Sequence, residues 1–151
     1  MGIGETLKEA LVKAMKERDT LRVETIRFLN AAIKRQEIDR KRQALGDQDI
    51  IGVISSLCKQ RRDSIEQFKK GGRDDLVAKE EKELAILLSF LPPQLSAEAV
   101  KPTVQKLIEK LGAQGPQDMG KVMKSVMQEL AGKADGSVIS TIVKELLAQK
   151  S

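Results

Sequence analysis

Apolar residues recur every three or four positions along nearly the whole chain, and no stretch alternates apolar with polar residues as a half-buried strand would. This periodicity restricts the fold to helices packed on helices, interrupted only where glycine, proline or aspartate stops them. A first helix is expected over Glu5–Arg18, with Leu7, Leu11, Ala14 and Met15 at helical spacing. Asp19 and Thr20 recap the chain for a longer helix from Leu21 to about Gln43, carrying Leu21, Ile26, Leu29, Ile33 and Ile38. A third runs from about Gln48 to Lys70, where Gly71-Gly72 stops it. A fourth opens at Asp74 and ends at Pro92-Pro93, which cannot continue a helix.

Beyond the prolines the texture changes: segments shorten, and Arg and aromatic residues vanish. Ser96 is a good N-cap for a fifth helix to about Leu111, although Pro102 should kink it or delay its start. Asp118 is expected to cap a sixth helix with Val122, Met123, Val126, Met127 and Leu130 as its core stripe, stopped by Gly132. Asp135-Gly136-Ser137 turns into a seventh with Val138, Ile139, Ile142, Val143, Leu146 and Leu147. The expected class is therefore all-α. A helical bundle of about four helices occupies residues 1–91, a Pro-containing linker residues 92–95, and a three-helix domain residues 96–151.

A chain of 151 residues buries about 70% of its unfolded surface, so it needs neither a disulfide nor a metal to hold it together. It contains no His, Trp or Tyr and one Cys. Without imidazole there is no Ser-His-Asp or Cys-His arrangement and no credible zinc ligand set. No catalytic residue, cofactor or metal is expected. Cys58 sits among Ile54 and Leu57 and reads as a small core residue rather than a nucleophile. A single cysteine suits a reducing compartment, and no apolar run is long enough for a membrane span, so a cytoplasmic location is expected. Met1-Gly2-Ile3-Gly4-Glu5-Thr6 formally fits a myristoylation pattern but has no adjoining basic patch, and it reads as a helix lead-in.

The net charge is +5. Arg27, Lys34, Arg35, Arg40, Lys41 and Arg42 outnumber Glu37 and Asp39, and Lys59, Arg61 and Arg62 form a second basic cluster. Residues 74–83 are acidic instead. A solvated helix face with pairing between these helices accounts for such runs more simply than a binding site does. The segment from Ser96 onward holds eight Lys, no Arg and six acids. Lys121 and Lys124 are three apart and project away from the apolar stripe. Lysines act as point charges on phosphates, and a segment without aromatics cannot stack unpaired bases. A nucleic-acid contact here would read the backbone and shape of folded RNA.

Gly115-Pro116-Gln117-Asp118-Met119-Gly120-Lys121-Val122 nearly spells a phosphate-binding loop. Val122 replaces the hydroxyl that would hold magnesium, and no strand leads in, so nucleotide hydrolysis is excluded as a reading. An anion cradled by the start of the sixth helix and Lys121 is a weaker use of the same residues. Gly120 reads most simply as permitting close helix packing. Met119, Met123 and Met127, at intervals of four, read as adaptable core. Asp74 and Asp75 read as helix-start carboxylates.

Two stretches resemble a known family. Ile26-Arg27-Phe28-Leu29-Asn30-Ala31-Ala32-Ile33-Lys34 with Glu37-Ile38, Lys59-Gln60-Arg61-Arg62-Asp63-Ser64-Ile65, Gly72-Arg73-Asp74-Asp75-Leu76 and Leu91-Pro92-Pro93-Gln94-Leu95 are similar to YqeY-like proteins. Asp118-Met119-Gly120-Lys121-Val122-Met123-Lys124 and Gly132-Lys133-Ala134-Asp135-Gly136 resemble the GatB/YqeY domain. The order and spacing of these motifs make the set specific, and Pro102 departs from the pattern. The resemblance implies a helical bundle followed by a three-helix tail domain. That tail also ends the B subunit of the glutamine-dependent tRNA amidotransferase, where it is associated with binding the tRNA body. The family label of carbon–nitrogen ligase with glutamine as amido-N-donor comes with it, but the chain is too short to hold that enzyme's catalytic parts.

The expectation is a non-catalytic adaptor binding tRNA, or a protein partner in tRNA metabolism, with no membrane contact. Lys121, Lys124, Lys133 and Lys144 would meet phosphates, while Gly120 and Gly132 would admit RNA or shape the turns. Two alternatives remain open: an accessory component of the amidotransferase, or a protein-binding scaffold that uses the methionine stripe or the Arg27–Arg42 helix.

Overall fold

In the computed structural model the described residues are 2–41 and 43–150. Met1 of the N-terminal glycine motif and Arg42 of the basic run lie outside them, as does Ser151. The described residues form seven α-helices and no strand: α1 (Ile3–Lys16), α2 (Thr20–Asp39), α3 (Asp47–Lys70), α4 (Asp74–Leu88), α5 (Ala97–Leu111), α6 (Met119–Glu129) and α7 (Gly136–Ala148). They divide between two compact units, Met1–Leu91 and Pro92–Ser151.

In the first unit α3 lies along α4, its most extensive partner, and α2 packs against α1, α3 and α4. The core is aliphatic: Leu7 from α1, Leu29 and Ile33 from α2, Ile50, Val53, Ile54 and Leu57 from α3, and Leu87 from α4. Cys58 belongs to this core at 1% exposure. Helix α1 starts two residues earlier than its periodicity suggests, because the Asp47 carboxylate accepts a hydrogen bond from the Ile3 N–H at 3.1 Å. Gly2, the residue of the formal lipidation pattern, is its N-cap. Helix α1 also ends before Arg18, which adopts a left-handed φ of 55° so that Asp19 N–H can reach the Ala14 carbonyl. Helix α2 stops at Asp39 rather than near Gln43, and Lys41 likewise turns left-handed, with φ 59°. After α3, Gly72 takes φ 69°, and the Gly72 and Arg73 N–H groups close back on Lys69 and Phe68. This is the paired bond pattern that glycine makes cheap at a helix end.

In the second unit α5, α6 and α7 each pack on the other two. Val100, Val104 and Ile108 of α5, Val122 and Val126 of α6, and Ile139, Ile142, Val143, Leu146 and Leu147 of α7 form the core. Helix α5 begins directly after Ser96, whose hydroxyl accepts from the Ala99 N–H at 3.2 Å, and it runs through Pro102. The expected delay is absent. Pro102 is exposed, and the buried Val100–Val104–Ile108 row outweighs its one missing hydrogen bond. The segment expected as a linker lies within this second unit and is bonded to it, as described below.

Candidate nucleic-acid interface

Helix α6 is short and strongly two-sided. Val122, Val126 and Leu130 are buried, and Met119 and Met123 pack partly against the core, whereas Met127 is 44% exposed. The methionine stripe is therefore core at two positions and surface at the third. Lys121 and Lys124 stand one turn apart on the opposite, exposed face, with Gly120 at its start. Lys133 is exposed just beyond the far end of α6, roughly 16 Å along the axis from its first turn. Lys144 is exposed on α7. The fold thus pairs Lys121 with Lys124 and gives each of the other two lysines its own place on the unit. Among the described residues no carboxylate lies within 4 Å of Lys121, Lys124, Lys133 or Lys144. Lys121 Nζ approaches the Leu111 carbonyl at 3.4 Å, where it meets the negative end of α5.

The helix start does not form the anion cradle. A 3-10 turn at Pro116–Asp118 leads into α6, and Asp118 makes no side-chain cap. Its Oδ2 instead accepts from the Gln114 N–H at 2.8 Å, closing the loop on itself. A fixed carboxylate at the helix start repels an incoming anion, which counts against the weaker use of the near-phosphate-loop motif.

The two glycines have opposite explanations. Gly132 has φ 72°, a left-handed conformation that favours glycine, and its carbonyl accepts from Gln94 Nε2 at 2.7 Å. The neighbouring Lys133 carbonyl accepts from the Leu95 N–H, also at 2.7 Å. The turn is thus pinned by the Pro92-Pro93-Gln94-Leu95 segment, and both of its carbonyls are used within the protein. Gly120 is helical, and a Cβ added there would meet nothing within 4 Å. Close helix packing therefore does not explain it, and its backbone is open to solvent. The sequence reading missed Gln94, because one polar residue after two prolines carries no periodic signal.

In the first unit much of the basic charge is spent internally. Arg61, 18% exposed, reaches Glu80 at 3.4 Å and Glu83 at 3.1 Å on α4, and its guanidinium lies 5.0 Å from the Phe28 ring centre. Arg40 pairs with Asp49 at 2.9 Å, and Lys69 with Glu81 at 3.9 Å. The acidic run of α4 thus takes up basic residues of α3. Asp75 is exposed, and the hydrogen bonds from the Arg73 side chain hold its carboxyl below the usual value of 3.8. Among the described residues no group of three His, Cys, Asp or Glu side chains is placed to hold a metal, and no helix is long and apolar enough to cross a membrane.

A two-unit, all-helical chain with a lysine-bearing three-helix unit has a counterpart among known families. The family profile described as Yqey-like protein matches residues 4–147, and the chain belongs to this family. Its relatives include proteins named "Altered inheritance of mitochondria protein 41, mitochondrial". The one from Lachancea thermotolerans is 39% identical over 112 residues, covering 73% of this chain and 60% of the relative. The one from Vanderwaltozyma polyspora is 36% identical over 107 residues, covering 70% and 58%. The Saccharomyces cerevisiae protein is 33% identical over 130 residues, covering 85% and 70%. The chain thus spans about 60% of the length of the first two relatives. Their mitochondrial names overturn the cytoplasmic expectation. A single buried cysteine, and no long apolar helix among the described residues, do not distinguish one reducing compartment from another.

Proposed function

We propose that this protein is a non-catalytic helical adaptor that binds folded tRNA, or a complex that handles it, through its second unit. On this reading the first unit is a four-helix bundle and the second is a three-helix domain of the GatB/YqeY type. The observation that carries the proposal is the exposed face of α6. There, two lysines without a carboxylate neighbour stand beside a helical glycine that has no internal packing role. Such a face suits phosphates and a closely approaching sugar–phosphate backbone, and it carries no aromatic side chain on which a base could stack. Lys133 and Lys144 would extend the contact, with Gly132 shaping the turn that holds Lys133.

The test is binding of the full chain to folded tRNA across a salt titration, with duplex DNA as control. Lys121→Glu combined with Lys124→Glu should weaken tRNA binding by about tenfold or more and flatten the salt dependence. Helicity should be unchanged, since both side chains are exposed. Unchanged affinity in the double variant removes this face from the interface, and equal binding of tRNA and DNA reduces the reading to a generally basic surface.

A further inference from the structure

Helix α2 buries Thr25, Ile26, Leu29 and Ile33, and the rest of its surface carries a stripe of exposed residues whose Phe28 and Arg35 border α3. On that face Phe28, Ala31, Arg35 and Ile38 follow one another at intervals of three, four and three residues, and all four are exposed. Phe28 is 47% and Ile38 55% exposed, and Phe28 is one of only three aromatics in the chain. Arg27 and Lys34 flank this stripe, seven residues apart. Glu24 and Asp39 lie at its two ends, and Glu37 lies on the half-buried flank. Between those ends every ionisable group on the exposed face is a cation, and among the described residues none of Arg27, Lys34 and Arg35 has a carboxylate within 4 Å. The Phe28 ring is also held: Arg61 backs it at 5.0 Å and is itself fixed by Glu80 and Glu83 from α4. An aromatic ring held in place at the surface loses little freedom when a partner covers it.

We propose that this face docks an acidic amphipathic helix of a partner protein. The 3–4–3 spacing is that of one helix laid along another, with Phe28 and Ile38 as anchors about 15 Å apart. The flanking cations select glutamate and aspartate beside the partner's apolar stripe. A second copy docking through this same face would set cations against cations, and Asp75, Glu80, Glu81 and Glu83 of its acidic α4 are already paired with Arg73, Arg61 and Lys69. A nucleic acid would meet Arg27, Lys34 and Arg35 but would cover Ala31 and Ile38 with phosphates, which gain nothing from an aliphatic surface. Two large apolar side chains are too small an area to hold a lipid surface. The inference is independent of the α6 interface.

Two synthetic helical peptides of about 20 residues test it by fluorescence anisotropy against the full chain. One carries leucine at the 3–4-spaced positions with glutamate flanking, and the other has the same glutamates with serine replacing leucine. The leucine peptide should bind about tenfold tighter than the serine peptide. Phe28→Ala with Ile38→Ala should abolish that difference, and Lys34→Glu with Arg35→Glu should weaken the leucine peptide further. Lys121→Glu with Lys124→Glu should leave all of this unchanged. Circular dichroism verifies that each variant is folded. Equal binding of the two peptides overturns the proposal, as does a leucine preference that survives Phe28→Ala with Ile38→Ala. If that pair instead weakens folded tRNA or anionic phospholipid vesicles while peptide binding is unmoved, the face belongs to another class of partner and the proposal falls.

Discussion

Gln94 donates its side-chain amide to the Gly132 carbonyl at 2.7 Å and to the Pro92 carbonyl at 2.9 Å, joining positions 38 residues apart in sequence. With the Leu95 N–H on the Lys133 carbonyl, this fixes the turn between α6 and α7 from outside the helices it connects. Gln94→Ala should therefore cost about 0.5–1.5 kcal/mol, the net worth of hydrogen bonds at a solvated site. Urea denaturation measures it, and faster amide exchange around residues 130–133 should accompany the loss. A variant as stable as the parent would show that the amide contacts are incidental.

The two glycines of the second unit should respond in opposite directions. Gly132→Ala places a side chain at φ 72° and should destabilise by about 1–2 kcal/mol. Gly120→Ala meets no neighbour in a helical position and should stabilise by about 0.4–1 kcal/mol. If Gly120→Ala also weakens tRNA binding, the bare backbone is used by the ligand. If it binds as before, Gly120 leaves the proposed interface. Thermal melts and the tRNA titration together separate these results.

Arg61 is the charge whose loss should be felt most. Its removal leaves Glu80 and Glu83, at 17% and 12% side-chain exposure, without their shared cation. Arg61→Met should destabilise the first unit by about 2–3 kcal/mol, because Glu80 is left unpaired and partly desolvated and Glu83 keeps only Lys79, at 4.0 Å. Arg61→Lys should recover only part of this, since an ammonium cannot span both acids and the Phe28 ring as a planar guanidinium does. A denaturation midpoint for Arg61→Met equal to the parent's would mean the pair relaxes freely into water.

The Asp75 carboxyl should titrate below 3.8, chiefly through the side-chain hydrogen bonds from Arg73. Since the folded value lies below the unfolded one, the stabilisation is complete above the unfolded value and disappears as the pH falls through the folded one. It is absent in strong acid and unchanging near neutrality. Carboxyl-carbon NMR titration of Arg73→Ala should move Asp75 up toward 3.8. A titration midpoint that stays depressed would assign the effect to the helix start instead.

All seven helices were legible because their cores are simple. Rows such as Ile26–Leu29–Ile33 repeat one helical turn, and Gly72, Gly112 and Gly132 stand where helices end. Boundaries drifted at Arg18 and Lys41, which turn left-handed where their helices close, whereas Pro102 is carried inside α5 by its buried row. Pairing between α3 and α4 was visible as opposite charge runs, but the choice of Arg61 as the shared cation was not, since Lys59 and Arg62 stand beside it in the same run. Of the proposed site, the lysines were legible as positions, and the structure shows them exposed. What remained hidden was the use of each backbone: the Asp118 carboxylate bonded back into its own loop, the Gly132 carbonyl occupied by Gln94, and Gly120 open. Those facts depend on where loops from distant sequence come to rest, and no helical period encodes that.

The guanidinium seated over Phe28 has a spectroscopic consequence. With no Trp or Tyr anywhere in the chain, the protein is nearly dark at 280 nm, and any indole introduced would be the sole side chain excited there. Phe28→Trp would place that indole with one face stacked under Arg61 and the other in water. Covering the wet face would shift its emission to the blue, so the molecule offers a background-free optical channel at the surface where its charge and its exposed apolar area coincide.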